Sequence, residues 1–171
     1  SGQSKLTLAA DDTNYAFSDI RLPSGTRIDQ SDRDRNLARI TGQAQYAFTP
    51  SVSAYVQAGY IRTAYDRGLL NGDPNRDSDG YRFLGGFNLD MAGFLRGTIG
   101  LGYTRRSYDS SALYRTTEGF AAEGKLEYFP SELTTFTLEA RRVLEDSNIA
   151  STSAFFDNRA TLRVDHSLLR N

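Results

Sequence analysis

The chain contains no cysteine and a single histidine. The first absence excludes disulfides, thiolate nucleophiles and cysteine-based zinc sites. The second makes any serine–histidine–acid site, or any histidine-based metal site, depend on His166 alone. Tryptophan is missing too, so the 12% aromatic content is all tyrosine and phenylalanine. Strong charge of either sign is lacking: the formal net charge is -1, and nothing global points to nucleic acid. No stretch approaches the roughly 18–20 apolar residues that a membrane helix needs. That excludes helical spans but not β-barrels, whose strands are only half apolar and look hydrophilic on average. No secretory signal opens the chain, and Ser1-Gly2-Gln3-Ser4 reads as a mature or cut end. The 171 residues suit one domain spanning positions 1–171.

What is there is a beat of about 40 residues. Short, similar turns sit at Phe48-Thr49-Pro50-Ser51-Val52, at Leu89-Asp90-Met91-Ala92-Gly93-Phe94, at Phe129-Pro130-Ser131-Glu132-Leu133 and at His166 to Asn171. Between them run paired segments of period two, joined by longer loops rich in Asp, Asn, Arg and Ser. Eight strands follow from this pattern: roughly Lys5–Phe17, the weakest, then Arg35–Phe48, Val52–Tyr65, Asp79–Leu89, Phe94–Tyr108, Glu118–Phe129, Leu133–Leu144 and Ala154–His166. In the second, Ala38, Ile40, Gly42, Ala44, Tyr46 and Phe48 alternate with Arg39, Thr41, Gln43 and Gln45. No segment shows a sustained helical stripe. Most of the strands reach or exceed the roughly 9–11 residues that a tilted membrane strand requires, whereas globular strands average about five or six. Short turns on one side and long polar loops on the other predict an all-β, antiparallel up-and-down transmembrane β-barrel, with eight strands in this chain.

Alternation alone does not say which face points inward. A soluble, lipocalin-like eight-stranded barrel binding an apolar ligand would turn Leu95, Ile99, Leu101, Phe120, Phe136, Leu138 and Leu162 inward. A membrane barrel reverses this. Three features favour the membrane. The apolar faces carry Gly and Ala among the Leu and Phe, which would pack loosely as an interior. Aromatics gather at strand ends, as interfacial girdles do. Opposite charges stand on the polar faces of adjacent strands, which suits a lumen where an unpaired charge is costly. The proposed lumen-lining residues are Arg39, Gln43, Arg82, Arg96, Thr98, Arg106, Glu123, Lys125, Glu127, Glu139, Arg141, Asp157, Arg159 and Arg163.

Candidate chemistry is thin. Asp73, Asn75, Asp77 and Asp79 place oxygens at every second position, like the start of a calcium loop, but the Glu needed six residues after Gly80 is Gly86. A polar turn is the better reading, and Asp29 to Arg35 is a weaker version of the same. His166 sits at a strand end, and Asp165 beside it points to the opposite face. Glu123, Glu127 and Glu139 could suggest a glycosidase pair, but Lys125, Arg141, Arg159 and Arg163 stand among them and favour salt-bridge filling. The glycines at 85, 86, 97, 100 and 102 do not open a helix, so no phosphate loop is present. No catalytic residue, cofactor or metal is expected.

Four stretches resemble a known family. They are Asn75-Arg76-Asp77-Ser78-Asp79-Gly80-Tyr81-Arg82, Leu95 to Tyr103 (LRGTIGLGY), Leu133 to Leu138 (LTTFTL) and Val164 to Asn171 (VDHSLLRN). Together they resemble the outer-membrane β-barrel porins of proteobacteria that are often encoded near exopolysaccharide genes. The resemblance runs from about Asn36 to Asn171 and marks strands and turns, not chemistry. It implies a Gram-negative outer-membrane location and a pore or scaffold linked to polysaccharide export, not an enzyme. The implied partners are membrane lipid, lipopolysaccharide, polysaccharide and other envelope proteins. Family members are longer than this chain, and such barrels commonly end on an aromatic residue, whereas this chain ends Leu168-Leu169-Arg170-Asn171. The expectation is part of a larger barrel, with an independent eight-stranded barrel as the other option.

Overall fold

The computed structural model describes residues 3–145, 147 and 153–168. The strands are β1 (Gln3–Tyr15), β2 (Ile20–Arg21), β3 (Arg27–Ile28), β4 (Arg35–Thr49), β5 (Val52–Tyr65), β6 (Ser78–Met91), β7 (Leu95–Tyr108), β8 (Thr117–Ser131), β9 (Thr134–Glu145) and β10 (Phe155–His166). One turn of 3-10 helix covers Ser31–Arg33. The eight long strands form one antiparallel sheet in the order β1-β4-β5-β6-β7-β8-β9-β10. Every neighbour in the sheet is the next long strand in the chain, which is the up-and-down meander the sequence predicts. The sheet is open, with β1 and β10 at its two edges.

The eight expected strands fall on the eight long strands observed, with bounds moved by at most two residues. The first, weakest in pattern, pairs with β4 along its whole length, from Gln3↔Ala47 to Tyr15↔Arg35. The small β2–β3 hairpin inside the first long loop carries no alternation and was not anticipated. The turns explain themselves chemically. Gly93 takes φ 73°, a conformation glycine adopts without steric cost, and the Phe94 N–H closes that turn onto the Met91 carbonyl at 2.9 Å. Pro130 falls where the β8–β9 register shifts between Tyr128 and Ser131, a place in a sheet where a residue without an N–H is tolerated. The fourth short turn is described only to Leu168, so its Leu169-Arg170-Asn171 end lies outside the described residues.

Register assigns the faces. One row across the sheet reads Gln45, Tyr55, Gly86, Gly100, Glu123, Arg141 and Arg159. A neighbouring row on the other face reads Ala44, Val56, Gly85, Leu101, Ala122, Arg142 and Asn158. Leu37 and Arg39 on β4 line the same cavity as Val143 and Glu145 on β9, so the sheet is strongly curved, with the polar face inside. The buried strand side chains sit there: Ser53, Tyr55, Thr63, Ser78, Leu84, Thr104, Arg106, Tyr108 and Ala121. The convex face is exposed and apolar, with Leu101 54% exposed, Leu162 68% and Leu8 78%. The soluble-barrel arrangement is therefore not what forms. Ile99, Phe120, Phe136 and Leu138 lie on the convex face with Leu101 and Leu162, and Leu95 shares it by register with Tyr128.

Candidate functional site: the concave face and its loop rim

All fourteen polar residues singled out from the sequence stand on the concave face by register. They form a mesh of opposite charges. Lys125 lies between Glu127 at 3.3 Å and Glu139 at 3.4 Å. Arg141 bridges Asp157 at 2.9 Å and Glu145 at 2.6 Å, and Arg159 reaches the same Asp157 at 3.6 Å. Arg163 pairs with Asp165 at 2.8 Å and Arg96 with Asp90 at 3.6 Å. Thr98 donates to Asn88 at 2.8 Å, and Gln57 donates to Gln43 at 3.3 Å. Most of these groups are at least a third exposed, so each pair contributes little to stability. What the mesh achieves is local neutrality on a face crowded with charge. The suspected carboxylate pair is thereby accounted for as salt-bridge filling.

Tyr55 organises the middle of this face, and sequence reasoning did not single it out. Its ring is 5% exposed and crosses β6 and β7 where Gly86 and Gly100 have no side chains. A Cβ on Gly86 would come within 2.8 Å of the ring, and one on Gly100 would overlap the hydroxyl. The hydroxyl donates to Glu123 at 3.4 Å, and Glu123 is held from the other side by Arg82 at 2.7 Å. Leu84 and Ala121 complete a small apolar cluster with the ring. A signal for this existed. Gly86 and Gly100 stand directly opposite one another with Tyr55 in the same row, so a bulky ring faces two empty positions.

Two cavities open on this face. One, of about 640 Å³, lies towards the long loops and is lined by Arg39, Arg82, Arg106, Thr41, Gln57 and Thr104 among others. The second, of about 520 Å³, lies over the charge mesh. Above the first, the long loops interlock. The Asn75 side chain is buried and donates to the carbonyls of Asp32 (2.7 Å) and Arg67 (2.9 Å). Tyr114 donates its hydroxyl to the Pro74 carbonyl at 3.1 Å and packs against Tyr108, whose own hydroxyl accepts the Ala154 N–H at 2.7 Å. Arg76 bonds the Ser147 carbonyl and covers the Tyr65 ring. Arg35 stacks on Tyr15, Phe17 and Tyr65. Burial pushes the Tyr114 phenol up from its ordinary pKa, whereas the Ser31 N–H donating to Asp29 holds that carboxyl below its usual range.

The convex face carries two aromatic belts. On the short-turn side Tyr46 meets Phe48, and Phe94 meets Tyr128, which meets Phe136. On the long-loop side Tyr60 stacks with Tyr81, with Tyr103 and Phe120 opposite each other nearby. Just beyond this second belt runs a polar rim. Arg62 pairs with Asp79 and Asp109, Arg105 with Glu118 at 3.5 Å, and Arg142 bonds Asn158 at 2.6 Å. The rim is oblique to the strands. Arg142 belongs to the row through Val56, six positions closer to the short turns than Arg62. Six residues span about 20 Å along a strand and four strand spacings about 19 Å, so the strands lean about 45° from the normal to the rim.

The remaining candidates do not assemble. Asp79 is on the convex face with Arg62 and Tyr60, Asp77 accepts the Tyr65 N–H at 2.7 Å, and Asp73 bonds Asn71. Among the described residues no group of His, Asp and Glu is placed to hold a metal. His166 shares a 2.9 Å hydrogen bond with Thr134 at the short-turn end, away from both cavities.

Over residues 2–171 the chain matches the model of a protein family described as "Putative beta-barrel porin 2". None of the curated proteins and none of the solved structures matches it.

Proposed function

The chain belongs to this family of β-barrel porins, and from that premise we propose that it forms part of a porin-like channel or scaffold in the outer membrane of a Gram-negative bacterium. The observation that carries the proposal is the inverted sheet: charge on the concave side, large apolar side chains in a band on the convex side. Water on the convex face would leave that band unfavourably hydrated, whereas lipid removes the penalty. The aromatic belts sit where ring and hydroxyl would meet the two interfaces, and the slope of the polar rim is close to the roughly 35–45° tilt of membrane-barrel strands.

In this reading the fourteen concave polar residues line the lumen and set which solutes pass. The role is passive, with binding and electrostatics in place of catalysis. Membrane lipid and lipopolysaccharide surround the band, and the finer role is passage or scaffolding of polysaccharide for export, with other envelope proteins as partners. The test is reconstitution. The protein should require detergent, migrate differently on a gel before and after boiling, and raise the conductance of a planar lipid bilayer. Ready solubility without detergent and no heat-dependent migration would overturn the membrane reading. A folded, inserted protein with no conductance would leave the scaffold and remove the channel.

A further inference from the structure

The seam between β8 and β9 comes apart at its long-loop end. Its ladder runs up from the short turn to Ala122↔Arg142 and stops. Beyond that point β8 continues to Thr117 paired only with β7, and β9 continues to Glu145 paired only with β10. A regular continuation would set Ala121, Phe120 and Gly119 opposite Val143, Leu144 and Glu145. The β9–β10 corner goes elsewhere. The Ala154 N–H reaches the Tyr108 hydroxyl at 2.7 Å, and Tyr108 belongs to the concave side of β7. The Ser147 carbonyl accepts a bond from Arg76, in the loop before β6. Alternation places Phe156 with the convex residues Asn158 and Ala160. Its ring nevertheless lies against the concave side of Gly119, where an added Cβ would come within 3.0 Å of it. The corner is therefore tucked inside β8, over the long-loop end of the concave face, and Val143 and Glu145 form a wall of the larger cavity.

One acceptor marks the fork between two arrangements. The Phe120 carbonyl points at β9 and accepts the Arg142 Nε–H at 3.1 Å. In an antiparallel ladder, a residue whose carbonyl faces its neighbour also turns its N–H that way. Phe120 and Leu144 would therefore exchange two hydrogen bonds if the ladder continued, and the Arg142 side chain stands in for the Leu144 N–H. Arg142 also stacks on Phe156 at 4.2 Å, so one side chain caps the interrupted ladder and clamps the tucked corner. We infer that the loop-side corner of β9–β10 is a flap over the mouth of the concave face. Tucked in, it narrows that mouth; laid back onto β8, it completes the ladder and widens the mouth. Both strands keep an extended edge ready to pair, and a barrel in lipid gains from satisfying those backbone groups. The tucked arrangement keeps the Tyr108, Phe156 and Arg142 contacts instead. The consequence for passing solutes rests on the channel reading; the movement itself does not.

The experiment is amide hydrogen exchange, followed by NMR on the full chain folded in detergent micelles, alongside bilayer conductance. In the unaltered protein the Phe120 and Leu144 amides should exchange at least about tenfold faster than those of Gly124 and Ala140, which face each other in the intact ladder. Tyr108→Phe removes the hydroxyl that accepts from Ala154, and Phe156→Ala removes the ring on Gly119. Each change should slow exchange at Phe120 and Leu144 by about tenfold and raise conductance. The inference is overturned if these two amides already match Gly124 and Ala140 in the unaltered protein, because the corner then lies in register. It is overturned too if they stay fast in both variants of a protein that still shifts on heating. Slowed amides with unchanged conductance, in a protein that conducts, would also sink it. Absence of conductance from every form removes the channel, while the exchange rates still decide the flap.

Discussion

Replacing Gly100 by alanine tests the central feature of the concave face. The new Cβ would overlap the Tyr55 hydroxyl and lie 3.3 Å from its Cζ and 3.4 Å from Cγ of Glu123. The ring must shift away from the sheet to make room for it. It then loses its 3.4 Å bond to Glu123 and part of its burial. A long bond to a part-exposed carboxylate contributes about 0.5–1 kcal/mol, and overfilling a tight site costs about 1–3 kcal/mol. Alanine recovers about 0.5 kcal/mol over glycine in a strand, so a net loss of about 1–3.5 kcal/mol is expected. Gly85 provides the comparison, because its Cβ would meet nothing closer than the Tyr55 carbonyl at 3.9 Å; Gly85→Ala should be neutral or slightly stabilising. In a Tyr55→Ala background the cost of Gly100→Ala should fall below about 0.5 kcal/mol, since the obstacle is gone. Urea unfolding in phospholipid vesicles, followed by far-UV circular dichroism and by heat-dependent migration, measures all of these. If Gly85→Ala costs as much as Gly100→Ala, or if the penalty survives removal of the Tyr55 ring, the reasoning is wrong.

Leu101→Arg places a charge in the middle of the convex band and should cost about 2–4 kcal/mol of folding free energy in vesicles; Thr98→Arg on the concave face should cost far less, and equal costs would argue against a lipid-facing band. Asn75→Ala removes the donor to two loop carbonyls and should destabilise the loop rim by about 1–3 kcal/mol, seen as faster proteolytic cutting within residues 66–77 while the strands stay protected. For Tyr114 the folded-state pKa is raised, so its contribution is fully present below the unfolded value of about 10 and is lost as pH rises through the folded value. A phenolate cannot donate to the Pro74 carbonyl, so loop cutting should accelerate at strongly alkaline pH, and Tyr114→Phe should lessen that pH dependence.

Strand order and face assignment were legible because both follow from local rules. Period two in Arg35–Phe48 or Phe94–Tyr108 assigns each side chain a face before any partner is known, and short turns force neighbouring strands to pair antiparallel. The β2–β3 hairpin escaped because two-residue strands have no period to detect. Tyr55 escaped because its role depends on Gly86 and Gly100, some 30 and 45 residues away, being brought into one row. The calcium-like spacing of Asp73 to Asp79 looked regular along the chain, but it crosses from a loop into β6, where Asp79 turns to the convex face.

The sequence by itself determined the alternation, the turn chemistry and the separation of charge from apolar surface, since these depend on residues within a few positions of each other. Only the tertiary structure decided which face is concave, which charges neutralise which, and that arginines from β4, β6 and β7 share one cavity. Those outcomes depend on register summed across several strands and on curvature, quantities to which every strand contributes and which no single segment encodes.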